Sequence, residues 1–116
     1  MEEDIARLLE ECIDSKVKLD LVLFFHDHPK FLDTAQAVAA WVSRDARAVE
    51  PALRMLSKAG LVEKFELGSG RYVLYAYTKS GRLRDTVARL SRVYHEDEVE
   101  RGVIVRRLMG LAETHH

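Results

Sequence analysis

The sequence is poor in the residues that cross-link or interrupt a chain. Its 116 residues include one cysteine and two prolines. The single cysteine, Cys12, cannot form an intramolecular disulfide, and its place beside Ile13 indicates a small buried hydrophobic side chain more than a reactive thiol. The fold therefore has to be held together without a disulfide.

Long apolar runs are also missing. No stretch approaches the roughly 20 apolar residues that a membrane-spanning helix needs. The first residues, MEEDIARLLEE, are acidic where a secretory signal peptide would be basic. We therefore expect a cytosolic protein that does not bind a membrane.

Length and composition indicate a single domain over residues 1–116. With 47% hydrophobic residues, a chain of this size can bury a modest core but is too short for two ordinary domains. The last two residues, His115 and His116, are either native or an added tag, and they are set aside from the fold prediction.

Catalytic and metal-binding motifs are scarce. The sequence has no cysteine–histidine pairing, no glycine-rich phosphate loop and no metal-ligand spacing, so we expect neither an enzyme nor a cofactor. His26 and His28, together with residues 95–98, come nearest to a metal site. Alternate residues do not share a helix face, however, and the two groups are far apart in the sequence. Histidines near the C-terminal dipole of a helix are the simpler interpretation, and no metal is expected.

Charge is unevenly distributed along the chain, although the net charge is only −1. Residues 1–30 carry four Lys or Arg and eight Asp or Glu, a net charge of −4. Residues 31–84 carry nine basic and five acidic side chains, a net charge of +4. Residues 85–116 have a net charge of −1. A basic middle segment is the part of the chain suited to an anionic partner.

Hydrophobic periodicity predicts helices at both ends of the chain. Residues 3–14 place apolar side chains at helical spacing. The next stretch, SKVKLDLVLFFHDH, is apolar nearly all round and stops before Pro29, so it should be the most buried helix. Residues 79–94 return to the helical period. A further helical piece follows the interruption HEDE, and its continuity with the preceding helix stays open.

The middle of the chain contains the signals for two short helices and a tight turn. Thr34 can cap a helix from Ala35 to about Trp41, since its hydroxyl can accept a hydrogen bond from an unpaired backbone NH. Asp45 offers the next cap after the break VSRD. The helix that begins there should end at Gly60, which tolerates the left-handed conformation that closes a helix.

Two stripes run along the second of these helices. Val49, Leu53 and Leu56 recur at helical spacing and predict its buried face. Pro51 lacks an NH and crowds the preceding turn, so we expect a kink or a loosened first turn rather than a break. A separate, mostly cationic stripe follows another face. Its residues are Arg47, Glu50, Arg54 and Lys58.

A β-hairpin is predicted directly after this helix. The runs LVEKFEL and RYVLYAYT are rich in aromatic and β-branched residues and flank GSG, which indicates a hairpin with a three-residue loop. Leu61, Phe65 and Leu67 should alternate toward one face, with Lys64 and Glu66 on the other. A mainly helical chain with one small hairpin, of the α+β class, is expected.

These elements share one pattern of residues. It consists of an alanine in the first short helix, a tight turn, a valine in the second helix, and the trailing pattern L..L...GLV. The residues are Ala39, Val42, Ser43, Val49, Leu53, Leu56, Gly60, Leu61 and Val62. Over residues 17–80 this organisation resembles the winged helix-turn-helix of bacterial and archaeal transcriptional regulators, a broad group that includes the MarR, ArsR and PadR families. The resemblance implies a recognition helix at about residues 45–59 and a wing at about residues 61–78.

The resemblance also implies that the partner is double-stranded DNA. A recognition helix places cations against phosphates, and an arginine can bond O6 and N7 of guanine together. A glutamate can accept a hydrogen bond from cytosine N4 but also repels phosphate, so the role of Glu50 stays open. Cations that flank the wing tip could touch the backbone or the minor groove. The residues predicted to contact DNA are Arg44, Arg47, Glu50, Arg54, Lys58, Lys64 and Arg71.

Apolar stripes in the two flanking segments predict a homodimer. Residues 3–14 and 83–109 carry more apolar surface than a small winged core can cover, so they should form the dimer interface. The prediction is therefore a cytosolic, homodimeric transcriptional regulator that binds DNA. The alternative is a winged-helix adaptor that holds a protein partner and touches DNA weakly or never. The operator, a small-molecule effector and the direction of regulation stay open.

Overall fold

The structure is a computed structural model that describes residues 1–113, with side chains described for residues 1–110. His115 and His116 lie outside the described residues. Six helices and a three-stranded antiparallel sheet form the predicted α+β fold, which is confirmed. In chain order the elements are α1 Glu3–Glu11, α2 Lys16–Asp27, β1 Leu32–Thr34, α3 Ala35–Val42, α4 Ala46–Lys58, β2 Val62–Leu67, β3 Tyr72–Tyr77, α5 Gly81–Glu96 and α6 Glu98–Glu113.

Side-chain caps define the helix-turn-helix as the sequence predicts. The Thr34 hydroxyl accepts a hydrogen bond from the Ala37 NH at 3.2 Å and starts α3. Asp45 accepts from the Arg47 NH at 2.8 Å and starts α4. Between the two helices Ser43 adopts the left-handed conformation, with φ of 57°. These caps confirm both predicted helices within one or two residues of their predicted ends.

Helix α4 continues through its proline. It runs from Ala46 to Lys58 with Pro51 inside it, so the prediction that Pro51 does not break the helix is confirmed. Val49, Leu53 and Leu56 have no exposed surface, which confirms the predicted buried face. The helix closes where Gly60 has φ of +86°, a conformation that strains any residue with a Cβ atom.

Helix α2 is the centre of the core. Six of its twelve residues are buried, compared with at most four in α1, α3, α4 or α5, so the predicted burial of this helix is confirmed. It packs against α3, α4, α5, α6 and β3. Because α2 contacts elements that are distant in sequence, its polar residues can pair with side chains far along the chain.

The sheet contains one strand that the sequence analysis missed. Strand β1 pairs antiparallel with β3, with Leu32 opposite Ala76 and Thr34 opposite Leu74, and the strand order is β1-β3-β2. The hairpin loop is also longer than predicted. Leu67 pairs with Tyr72, so four residues, numbers 68 to 71, form the loop instead of three.

Within the wing, Phe65 and Leu67 lie on one side and Lys64 and Glu66 on the other, as predicted. Leu61 does not continue this alternation, because it precedes β2 and is buried together with Val62. Lys64 pairs with the buried Tyr75 and therefore lies on the side of the sheet that faces the helices. Phe65 lies on the opposite, outer side. The outer side carries the exposed apolar residues Leu32, Phe65, Leu67 and Tyr72.

The terminal helices pack within their own chain, α1 against α5, and α6 against α5 and α2. Asp97, with φ of −117° and ψ of 100°, separates α5 from α6, which settles the open question of their continuity. The stripes that motivated a dimer are largely buried within the monomer: Ile5, Leu8, Leu9, Val87, Leu90, Ile104 and Leu108. Up to residue 110, the apolar residues that stay exposed on α6 are Val99, Val103 and Met109.

Candidate nucleic-acid interface

A groove separates α4 from the wing. It has a volume of about 320 Å³, and its walls are the outer face of α4, the start of α3 and strands β2 and β3. Four of the seven residues predicted to contact DNA line it, so the fold brings together side chains that are up to 21 positions apart in the sequence. The lining residues are Thr34, Ala35, Gln36, Glu50, Arg54, Lys64, Arg71, Tyr72, Val73 and Tyr75.

The α4 wall of the groove presents Arg54 beside Glu50. The Arg54 guanidinium lies 3.0 Å from the Glu50 carboxylate, and both side chains are about half exposed. Pairs of this kind, four residues apart on a helix surface, contribute only about 0.3–0.5 kcal/mol. A phosphate oxygen can therefore replace the carboxylate at little cost, so the pair leaves Arg54 available to an anionic partner.

The wing wall carries Lys64 and Arg71. Lys64 lies 3.4 Å from Glu66, with its stem against the sheet side that faces the helices. Arg71 is in the four-residue loop and is exposed. It forms no ion pair with any side chain that the structure describes. Among the three cations of the groove, Arg71 is therefore the one without an acidic partner in the described part of the chain.

The start of α3 is part of the groove, and the sequence analysis missed this contribution. Thr34, Ala35 and Gln36 line the groove at the N-terminus of an eight-residue helix. The first NH groups of a helix carry a partial positive charge and favour anions. The signal was the Thr34 cap itself, but only the folded chain shows that this helix end meets α4 and the wing.

Arg47 and Lys58 lie on α4 outside the groove lining. The Arg47 side chain is 92% exposed and contacts Asp45 at 2.9 Å. This hydrogen bond lowers the pKa of Asp45 and raises the pKa of Arg47. Lys58 is in the last turn of α4, three turns from Arg47. The cationic stripe therefore extends past the groove in both directions.

Arg44 is placed differently from the other predicted contacts. Its guanidinium donates two hydrogen bonds to Asp20 Oδ2 on α2, from Nε at 3.0 Å and from the terminal nitrogen at 2.6 Å. Its side chain is 31% exposed. The structure thus gives Arg44 a partly buried carboxylate partner on α2. Sequence reasoning missed this partner, because the two residues are 24 positions apart and no local pattern pairs them.

The histidines that came nearest to a metal site contact aromatic rings. His26 lies edge-on to Tyr77, with ring centroids 6.4 Å apart, and His28 lies between Phe24 and Trp41 at 4.8 and 6.1 Å. Within the described part of the chain, no three His, Cys, Asp or Glu side chains are arranged to hold a metal ion. Every helix among the described residues is also too short or too polar to cross a lipid bilayer.

Comparison with solved structures shows a likeness of fold. No family model matches the chain, and no curated protein matches its sequence. Among solved structures, the chain is similar to a mutant of S. aureus MepR bound to an oligodeoxyribonucleotide, with a TM-score of 0.57 and 16% identity. The match covers 98% of this chain and 88% of that chain. At this level of identity the likeness concerns the backbone, and the chain has a winged helix-turn-helix fold, as its sequence predicts.

Proposed function

We propose that this protein is a transcriptional regulator that binds double-stranded DNA through α4 and the wing. The observation that carries the proposal is the groove, in which Arg54, Lys64 and Arg71 converge with the N-terminus of α3. Three cations and one helix N-terminus face a single acidic side chain there, Glu50. The solved MepR structure, which has the same fold, contains an oligodeoxyribonucleotide, and this supports the proposal.

Each part of this surface has a distinct role in the proposal. Arg54 and Arg71 bind phosphates on either side of the groove, and Lys64 adds a third charge from the wing. Arg47 projects from the first turn of α4, where the residues of a recognition helix reach base edges. Glu50 either accepts from cytosine N4 or repels the backbone.

We further propose that the protein acts as a homodimer in the cytosol, without catalytic activity. Two copies joined through α6 would present two recognition helices to one duplex. Val99 is 74% exposed and Val103 lies one turn away on the same face. Apolar side chains exposed at this spacing favour contact with a second apolar helix.

Selection on random duplexes tests the proposal. We expect the wild-type protein to enrich a sequence motif, and its affinity for that duplex to fall steeply with salt because bound cations release counterions from the phosphates. Arg71→Ala should weaken binding, whereas Arg92→Ala removes the same charge from α5 outside the groove and should leave it unchanged. No enrichment and no salt-dependent binding would contradict the proposal.

A second candidate function is docking of a protein partner by the same fold. The outer side of the sheet exposes Leu32, Leu67 and Tyr72, and an apolar cluster of this kind favours a protein partner over DNA. Leu67→Lys separates the two functions. It should abolish docking on the outer side, but it should strengthen DNA binding slightly or leave it unchanged.

A further inference from the structure

Asp20 on α2 accepts hydrogen bonds from two basic side chains, Lys16 and Arg44. Its Oδ2 accepts both hydrogen bonds of Arg44, which lies in the turn between α3 and α4. Its Oδ1 accepts from Lys16 Nζ at 2.6 Å. The Lys16 Nζ in turn lies 5.9 Å from the centre of the Tyr94 ring on α5. The carboxylate therefore links α2 directly to the turn that begins the recognition helix, and its second partner, Lys16, lies beside α5.

The turn held by Arg44 determines where α4 begins. Ser43, directly before Arg44, has φ of 57°, a left-handed conformation that costs free energy for a residue with a Cβ atom. Asp45, directly after it, caps α4. Arg44 is thus the only residue between the strained position and the cap. Anchoring its guanidinium restricts the first turn of the recognition helix relative to α2.

The Asp20 and Arg44 pair differs from the other pairs on the DNA-binding side. The remaining pairs there join residues two or four positions apart, and each can form in an isolated segment. Asp20 and Arg44 are 24 positions apart and both are partly buried. Partial burial weakens screening by solvent and makes a charge-assisted pair of hydrogen bonds stronger. Only the folded chain can form this pair.

We propose that Asp20 is a positioning residue for DNA binding. It holds Arg44 and thereby fixes the turn and the first residues of α4 in the orientation that presents the groove. On this view Arg44 contacts Asp20 and not a phosphate, which differs from its role in the sequence-based prediction. The inference rests on the proposed DNA-binding function, and it predicts a loss of affinity when an acid is removed, against the usual electrostatic trend.

The test compares Asp20→Asn with Asp14→Asn on the duplex that the wild-type protein enriches from a random pool. Asp14 is a matched control because it also accepts a hydrogen bond from a lysine of α2, Lys18, at 2.7 Å. The two variants remove the same charge, but only one releases Arg44. We expect Asp20→Asn to bind about tenfold more weakly than Asp14→Asn, since a smaller fraction of the protein holds α4 in the binding orientation.

A double-mutant cycle shows whether Asp20 acts through Arg44. In an Arg44→Ala background, Asp20→Asn should cause no further loss of affinity, because the contact is already absent. A loss that persists in this background would overturn the inference. The sole tryptophan, Trp41, is on α3 and its ring lies 6.4 Å from that of Phe24 on α2, so its fluorescence and thermal unfolding curves identify a temperature at which each variant is folded.

Arg44→Gln gives an independent test if Asp20→Asn does not fold. Its control is Arg92→Gln, which removes the same charge from α5 outside the groove. If Arg44 anchors the turn, Arg44→Gln weakens binding without changing the salt slope. A slope that falls by about 1, as for a lost phosphate contact, would overturn the inference, and so would tighter binding by Asp20→Asn. If the wild-type protein binds no duplex at any salt concentration, the proposed function fails and the inference fails with it.

Discussion

Most cations on the proposed DNA-binding surface lie beside an acid of the same chain. A phosphate has to displace that acid before it gains the contact, so each exchange yields less free energy than an unpaired cation would. The pairs at the surface are Arg47 with Asp45, Arg54 with Glu50, and Lys64 with Glu66.

The first prediction at this scale concerns Arg54. Arg54→Ala should weaken DNA binding and reduce the salt slope by about 1, without changing sequence preference, if the arginine contacts only phosphate. Titrations at several salt concentrations measure the slope. Arg92→Ala is the charge-matched control on α5. A slope equal to that of the wild-type protein would mean that Arg54 does not reach the backbone.

Glu50 should behave in the opposite way. Glu50→Ala releases Arg54 from its partner at 3.0 Å and removes a negative charge from the groove. We expect tighter non-specific binding if Glu50 only repels phosphate, or relaxed preference at one base pair if it accepts from cytosine N4. Selection on random duplexes with both proteins distinguishes the two results. Unchanged affinity and an unchanged motif would remove Glu50 from the interface.

Tyr77 allows a prediction about alkaline pH. Its hydroxyl is buried and has no hydrogen-bond partner among the described residues, and burial raises the pKa of Tyr77 to about 12, against an opposing effect of Arg84. The folded state therefore favours the neutral phenol. The contribution of the Tyr77 pKa shift to the free energy of unfolding is complete below pH 10, where the side chain is neutral in the unfolded chain as well. This contribution is lost as the pH rises toward 12.

The variant that isolates this effect is Tyr77→Phe. It keeps the ring that packs in the core and removes the hydroxyl, so stability at pH 7 should be equal to or above that of the wild-type protein. Urea unfolding at several pH values measures the difference between the two proteins. That difference should grow in favour of Tyr77→Phe between pH 10 and 12. A constant difference would show that Tyr77 does not titrate in this range.

At the scale of elements, α4 ties the recognition surface to the core. Leu53 has no exposed surface, and Leu53→Ala should lower the free energy of unfolding by about 2–5 kcal/mol through lost burial and a cavity. Met55 is on the same helix and 52% exposed, so Met55→Ala should change it by less than about 0.5 kcal/mol. Equal unfolding midpoints for the two variants would contradict the observed register of α4.

At the scale of the whole molecule, the assembly depends on how much apolar surface the monomer leaves uncovered. The flanking helices bury most of their stripes within the chain, so the proposed dimer contact is confined to α6. Light scattering should show particles of about twice the 13.3 kDa chain mass. Two recognition helices would then lie near one DNA turn apart, about 34 Å.

The proposed contact is tested by Val103→Glu, which places a charge on the exposed face of α6. This variant should give particles of 13.3 kDa, because burying an unpaired carboxylate in an apolar interface is unfavourable. Leu67→Lys adds a charge to an apolar site on the wing and should leave the dimer intact. Wild-type particles of 13.3 kDa at micromolar concentration would refute the dimer.

The sequence by itself determined the helical elements and the fold class. Caps, breaks and apolar spacing are local signals, so Thr34, Asp45 and Gly60 located the helix-turn-helix without knowledge of any distant contact. The buried stripe of α4 followed from periodicity for the same reason. Four of the residues predicted to contact DNA line one groove. They belong to α4 and the wing, and the sequence predicted the type and the order of both elements correctly.

Only the tertiary structure decided how these elements meet. Strand β1 has three residues, too few for a periodic signal, and it forms because β3 offers an edge beside it. The faces of the wing depend on which side of the sheet meets the helices, since no local rule orients a hairpin that projects from the core. The partner of Arg44 is 24 positions away, and the end of α3 joins the groove through packing. Long-range pairing of this kind has no local sequence signature, so the anchor at Asp20 was visible only in the folded chain.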